Sequence, residues 1–269
     1  MKSLYLPEWE TFIRYHELPG KGTTLLYLPG LSFPSVEQFL SVVTHDDMAG
    51  YHSLLVDYIG SGFSDYSQDF DYSIENHARS IATVLDHEDI KECTVIGHSM
   101  GGTVGIKLAI LRPDLVSKLI VAEANISPGG GEATRRITSY SEDEYVKEAH
   151  HTLLEEVRKA EKEGHPLAAF INAAWSKADP IGLYKSSSAL VELEESFKYQ
   201  FQQLSIPRTF VYGEDSLSKD SDKSQPDAPD PKELGQFGVQ IAIVPNAGHA
   251  MMFDNLRGFV DVLKTALGD

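Results

Sequence analysis

The stretch VIGHSMGGTVGIKLA, residues 95–109, decides how this chain is read. Two β-branched residues, Val95 and Ile96, lead straight into Gly97-His98-Ser99-Met100-Gly101, and small residues follow at helical spacing. A lone serine adds nothing to an apolar core, and glycines weaken any regular element that holds them. The arrangement makes sense where the backbone is forced round a corner so that one hydroxyl stands free. A strand, then G-x-S-x-G, then a helix is the pattern of a nucleophile elbow, with Ser99 at its tip. The following helix then aims its free amides and positive dipole at the same point.

Outward from the elbow, strands and helices alternate. Residues 24–30 (TLLYLPG) and 52–58 (HSLLVDY) are short apolar runs stopped by turn residues, which predicts buried parallel strands. Residues 35–43 predict a helix with Ser35 as N-cap and Glu37 in its first turn. Residues 72–86 place Ile74, Ala78, Ile81, Ala82 and Leu85 on one helical face. The helix after the elbow, from about residue 101 to 111, stops before Pro113, and residues 117–124 (SKLIVAEA) predict the next strand. At SPGGG, residues 127–131, the rhythm breaks, and residues 135–203 read as wholly helical and more charged. It resumes at 206–214 (IPRTFVYGE) and 239–245 (VQIAIVP), and ends in a helix at 255–267. Alternation of this kind predicts a sheet with helices on both faces, and a helical block between two strands predicts a cap over one end of it. The expected division is a core of residues 1–130 and 205–269 with a helical cap at 131–204. Residues 217–232 are polar and proline-rich, which predicts a mobile loop.

Composition bounds the function. At 269 residues, 42% hydrophobic and 23% charged, the chain can bury a sizeable core. Its net charge of -17, from 40 acidic against 23 basic residues, repels nucleic acid and anionic membranes, and no basic cluster offsets it. The single cysteine, Cys93, cannot form an internal disulfide; it opens an apolar strand and is expected to be a small buried hydrophobe in a reducing compartment. Residues 1–10 lack the apolar stretch of a signal peptide, and no apolar run reaches membrane length. These features predict a cytoplasmic monomer or homodimer whose partner is a small-molecule substrate, with no nucleic acid and no membrane.

A serine hydroxyl is inert at neutral pH without a base beside it. Of ten histidines, His249 alone sits in a Gly-His loop just past an apolar strand, in VPNAGHAMMF at residues 244–253. His45, His77, His87, His150, His151 and His165 lie in polar surroundings and are expected to be exposed. His150 and His151 point apart on a helix and match no metal-ligand pattern. Gly20-Lys21-Gly22-Thr23 lacks the Ser or Thr that a phosphate loop needs after its lysine. His98 is expected to be turned away by the elbow and to serve packing. No metal, nucleotide or other cofactor is implied.

Through these motifs the chain resembles the α/β-hydrolases, in particular single-domain serine hydrolases with a helical cap between the sixth and seventh strands. The resemblance spans residues 12–127 and 205–267. It rests on LPG (28–30), DYIGSGFS (57–64), GHSMGG (97–102) and NAGHAM (246–251). It implies an α/β fold with a mostly parallel eight-stranded sheet flanked by helices. It also implies an oxyanion hole made by the backbone N–H groups of Leu31 and Met100. Pro29-Gly30 stands where the family usually has His-Gly, but the donor is the amide of the following residue and survives the change. Gly60 and Gly62 read as structural, with Asp57 tying up their turn.

The acid departs from the family pattern. The usual aspartate closes a G-E-x-D motif after the seventh strand, whereas Gly213-Glu214-Asp215-Ser216 puts serine in that slot and Asp215 one residue early. Glu123 stands alone at an apolar strand end, in VAEAN (121–125), where a carboxylate is costly unless something meets it. Some branches of the family take their acid from this strand end. Glu123 is therefore the preferred acid and Asp215 the alternative; the chain order Ser, acid, His holds for both.

The resemblance implies hydrolysis of a small to medium carboxylic ester or lactone through an acyl-enzyme on Ser99. The same triad and cap also serve C–C bond hydrolases, and a hydrolase-fold receptor with little turnover is the reading from another class. Dehalogenation needs an aspartate nucleophile. The cap aromatics Phe170, Trp175, Tyr184, Phe197, Tyr199 and Phe201, with Met251 and Met252, are candidates for an apolar pocket, and Trp175 and Met251 are expected to meet the substrate.

Overall fold

The central strands are apolar on both faces, and that decides the architecture. The computed structural model describes residues 1–217 and 228–268. Eight strands, β1 (Lys2–Leu6), β2 (Thr11–Leu18), β3 (Lys21–Leu28), β4 (Tyr51–Val56), β5 (Cys93–His98), β6 (Val116–Ala122), β7 (Arg208–Gly213) and β8 (Gln240–Val244), form one sheet in the order β1-β2-β4-β3-β5-β6-β7-β8. Pairing is parallel from β4 through β8 and antiparallel at β1/β2 and β2/β4. Side chains alternate across the sheet: Leu26, Leu28, Val95, Leu119, Val121 and Phe210 enter one core, and Leu25, Tyr27, Ile96, Ile120, Ala122 and Val211 the other.

Helices cover both faces. α1 (Ser35–Val43) and, at the end of the chain, Leu256–Leu267 close the second core with Phe39, Val42, Phe259 and Leu263. α2 (Ile74–His87) and α3 (Met100–Leu111) close the first with Ile81, Leu85, Val104 and Leu108. Between β6 and β7 lies a helical insertion. It runs through α4 (Glu132–Thr138), α5 (Glu142–Glu144), a π-helical stretch Tyr145–Ala149, α6 (His150–Lys162), α7 (Ala168–Trp175), α8 (Pro180–Val191) and α9 (Phe197–Gln203). After β7 come α10 (Glu214–Leu217), α11 (Pro231–Gln236), α12 (Met251–Asp254) and α13, the terminal helix Leu256–Leu267.

The insertion is fastened to the core through α8. Asp179 caps α8 by accepting from the amides of Ile181 and Gly182, and it also accepts from the Tyr72 hydroxyl at 3.1 Å. Its own amide donates to the Gly60 carbonyl at 3.0 Å. Nearby, His77 Nε2 and Ser186 Oγ are 3.2 Å apart in a buried contact between α2 and α8. Burial pushes the His77 imidazole down to about 3, so it stays neutral there.

Three local expectations change. The eight-stranded expectation requires two strands before residue 24 without placing them; they are β1 and β2, where Thr11, Ile13 and Tyr15 are buried while Phe12, Arg14 and His16 are more exposed, a two-residue period visible in the sequence. Ser35 is the first helical residue and not the cap; Pro34 holds the N-cap position, and the Ser35 hydroxyl donates to buried Asp57 Oδ1 at 2.7 Å. Of the segment expected to be a mobile loop, residues 218–227 lie outside the described residues, and α11 begins at Pro231. Among the described residues, no helix is long and apolar enough to cross a membrane.

Candidate active site

Ser99 sits between β5 and α3 with φ 53 and ψ -122, a region that a residue with a Cβ adopts only when its surroundings force it. The neighbours explain how. A Cβ on Gly101 would lie 2.0 Å from the Leu28 carbonyl oxygen, and one on Gly97 would lie 2.4 Å from that of Gly101. Only glycines let β5 and α3 close this tightly on the end of β3. The Ser99 amide donates to the Ala122 carbonyl at 2.8 Å, which ties the elbow to the end of β6.

Glu123 follows β6 directly and also has a left-handed backbone, φ 46. Its amide donates to the Val211 carbonyl at 3.0 Å, so the turn leans onto β7. Its side chain is 5% exposed: Oε1 accepts from the Gly213 amide at 2.9 Å, and Oε2 lies 2.8 Å from His249 Nδ1. Burial alone pushes this carboxyl up, but the bond and charge of His249 and the Gly213 amide outweigh it and hold Glu123 below the usual carboxylate range. A carboxylate at Nδ1 fixes the proton on that nitrogen and leaves Nε2 as the acceptor.

The His249 loop is tied on several sides. The Gly248 amide donates to Asp254 Oδ2 at 2.9 Å, the Asn246 amide to Glu214 Oε2 at 2.9 Å, and the Asp215 amide to the Ala247 carbonyl at 2.9 Å. Residues 30–33 form a turn closed by Phe33 N–H to Gly30 O at 3.1 Å, with Ser32 left-handed at φ 59. This turn leaves the Leu31 amide outside its own hydrogen bond. Met100 is the first residue of α3, so its amide has no intrahelical partner. Gln38, buried in α1, accepts from the Gly30 amide at 2.8 Å and fixes the turn from behind.

Ser99, Glu123, His249 and Leu31 line a single cavity of about 660 Å³ under the insertion. Its walls are mainly apolar, with Ile126, Ile137, Leu153, Trp175, Leu190, Phe210 and Phe253 among them. Two cations on the wall are already paired, Arg136 with Glu156 and Lys198 with Glu233. α7 reaches α12, just past the histidine loop, through the tilted rings of Phe170 and Phe253, whose centroids are 4.4 Å apart.

Several expected site residues fall differently. Met251 is fully buried in the second core with Val244, Ala247 and Phe259, because α12 turns it inward; Ala250 and Phe253 line the cavity in its stead. Asp215 does not line the cavity, and the nitrogen it was to orient is engaged by Glu123. Ser216, in the slot of the usual aspartate, is 2% exposed. His98 is not turned away: it lines the cavity, and its Nε2 lies 2.8 Å from the His249 carbonyl oxygen. Gln38 went unnoticed; the signal was a glutamine on the face of α1 that also carries Phe39 and Val42.

A family model described as the alpha/beta hydrolase fold matches residues 23–256. The chain belongs to this family and is an α/β-hydrolase. A Pseudomonas syringae pv. syringae protein bearing the name carbamate hydrolase RutD is 39% identical over 89 residues, a match that covers 33% of this chain and 33% of that protein. The chain thus matches about a third of the length of such curated relatives. The sn-1-specific diacylglycerol lipase ABHD11 of Mus musculus is 26% identical across 95% of this hydrolase and 85% of its own length. Among solved structures, the enol-lactonase from Burkholderia xenovorans LB400 superimposes with a TM-score of 0.79 at 18% identity, covering 100% of both chains, a likeness of fold.

Proposed function

We propose that this α/β-hydrolase is a serine hydrolase of uncharged carboxylic esters or lactones that works through an acyl-enzyme on Ser99. One observation carries the reading: His249, oriented by Glu123 at 2.8 Å, lines the same cavity as Ser99 on its strained elbow. In this reading His249 Nε2 takes the Ser99 proton as Oγ attacks the carbonyl carbon. The charge on the tetrahedral intermediate falls to the Leu31 and Met100 amides, and protonated His249 gives its proton to the leaving oxygen. Water then repeats the sequence on the acyl-enzyme and frees the acid. Glu123 stays ionised throughout and stabilises the imidazolium between transfers.

An uncharged acyl part suits the apolar wall, since Arg136 and Lys198 are paired already and offer no free cation. Residues 131–204 act in this reading as a cap over the core of residues 1–130 and 205–269, with Trp175 setting acyl preference. Relatives and neighbours named for a carbamate, a diacylglycerol and an enol-lactone support hydrolysis at a carbonyl without choosing among such substrates. The test is labelling by a fluorophosphonate probe. Wild type should label with a single adduct on Ser99, and a folded Ser99→Ala variant should neither label nor turn over an aryl ester. Turnover within about tenfold of wild type in Ser99→Ala would remove serine catalysis, since loss of the nucleophile costs several decades.

A further inference from the structure

We infer that His98 is a positioning residue for His249, clamping the histidine loop to the end of the elbow strand. The inference rests on the serine-hydrolase reading above and adds a residue to it. His98 is the last residue of β5, directly before Ser99, so the elbow carries its position with it. Its side chain crosses to the loop after β8, where Nε2 lies 2.8 Å from the His249 backbone oxygen. A carbonyl only accepts, so Nε2 carries the proton and donates it, and a neutral ring then has a bare Nδ1. Nδ1 is buried, has no partner among the described residues, and lies against Gly30, where a Cβ would come within 3.2 Å of it.

His98 therefore joins three parts of the proposed machinery: its backbone continues into the elbow, and its ring lies against Gly30 of the oxyanion turn and bonds the carbonyl of the base. The His98 and His249 ring centroids are 4.7 Å apart, so a charged His98 would oppose the imidazolium formed during turnover. Burial, aided by neighbouring His249, pushes His98 down to about 3, which keeps it a neutral donor across the working range. Its hydrogen bond and the Glu123 contact grip His249 at two points, the main chain and Nδ1. With the main-chain grip removed, the loop can shift relative to Ser99, and misplacement by about 1 Å costs catalysis about 100-fold.

The test compares His98→Leu with His98→Gln, beside wild type and Ser99→Ala, on one aryl ester and by rate of fluorophosphonate labelling. A glutamine amide reaches roughly where Nε2 sits and can donate to the same carbonyl. His98→Leu should lose about 10- to 100-fold in kcat and labelling rate with KM within about twofold. His98→Gln should recover most of that loss. Equal losses in the two variants, undiminished kcat in His98→Leu, or an effect confined to KM would each overturn the proposal. Turnover in Ser99→Ala would instead overturn the serine reading and leave the His98 comparison to stand by itself. Wild type supplies a readout that needs no variant: nitrogen NMR of the histidines should find His98 neutral with its proton on Nε2 at every pH from 8 to about 4. A His98 ring that protonates near pH 6.5, or that carries its proton on Nδ1, contradicts the clamp.

Discussion

The carboxyl end of the sheet and the helical insertion above it enclose one cavity but are built on opposite terms. Every residue of β5 and of β7 is buried, and the turns that leave the strands are held by backbone bonds such as Ser99 N–H to Ala122 O and Glu123 N–H to Val211 O. In the insertion, α6 buries Leu153 and Leu154, and α7 buries Ala168 and Ala174, with much of their remaining surface open. The sheet end can therefore hold left-handed residues in place, and it does so at Ser32, Ser99, Glu123 and Asn246. The insertion, anchored through α8 and through Phe197 and Phe201 of α9, supplies wall and shape. In the proposed reading, chemistry belongs with the first region and selectivity with the second.

The largest effect that could break this division is at the proposed acid. Glu123→Gln leaves a neutral amide that cannot stabilise the imidazolium, so kcat should fall about four decades in steady-state assays. Asp215→Asn should cost about tenfold or less. The opposite ranking would move the acid to the segment after β7.

Acid pH should sharpen the contrast through stability. His77 and His98 are each held near 3 when folded, whereas the unfolded chain protonates both near 6.5. The unfolded state thus binds more protons below 6.5, and stability falls as pH drops towards 3, by up to about 3 kcal/mol per unit for the two together. Glu123 adds to this below 4.5, because its stabilising contribution is lost as pH falls through its lowered folded value. Denaturant midpoints measured from pH 7 to 4 should decline on this slope; a flat profile would mean that neither histidine is buried as described.

A smaller effect belongs to the cavity wall. Trp175→Ala should change relative kcat/KM across acyl lengths by about tenfold, with the aryl-ester kcat nearly unchanged. Unaltered selectivity in a folded variant would take Trp175 out of the acyl site. The smallest effect is at the anchor. Asp179→Ala removes the α8 cap and the Tyr72 contact and should cost about 1 kcal/mol, read as a Tm lower by about 2–4 °C. A loss of kcat with no change in Tm would tie α8 to the chemistry and undo the division.

The same contrast explains what the sequence made legible. Ser99 stands out as a candidate because it sits at a strand end where glycine is required, His249 because it follows a glycine in the loop after an apolar strand, and Glu123 because a lone carboxylate at an apolar strand end needs a partner. Their side chains answer to backbone rules that leave marks in the sequence. Met251 could not be placed the same way: its neighbours Ala250 and Phe253 face the cavity, and a single turn of α12 decides which of them does. Nor could His98 be read as a clamp, since its partner is a main-chain oxygen 151 positions away in sequence. The two antiparallel strands were readable from the alternation at Thr11, Ile13 and Tyr15, but short polar-flanked runs of that kind also occur in loops.

The central claim is that a carboxylate from the turn after β6, and not one from the segment after β7, holds the Nδ1 proton of His249. Proton NMR of that hydrogen tests it most directly, because an Nδ1–H bonded to a carboxylate at 2.8 Å resonates far downfield of ordinary imidazole N–H. The account predicts a downfield His249 resonance in wild type and in Asp215→Asn, and its loss in Glu123→Gln. A resonance that persists in Glu123→Gln and disappears in Asp215→Asn would contradict it.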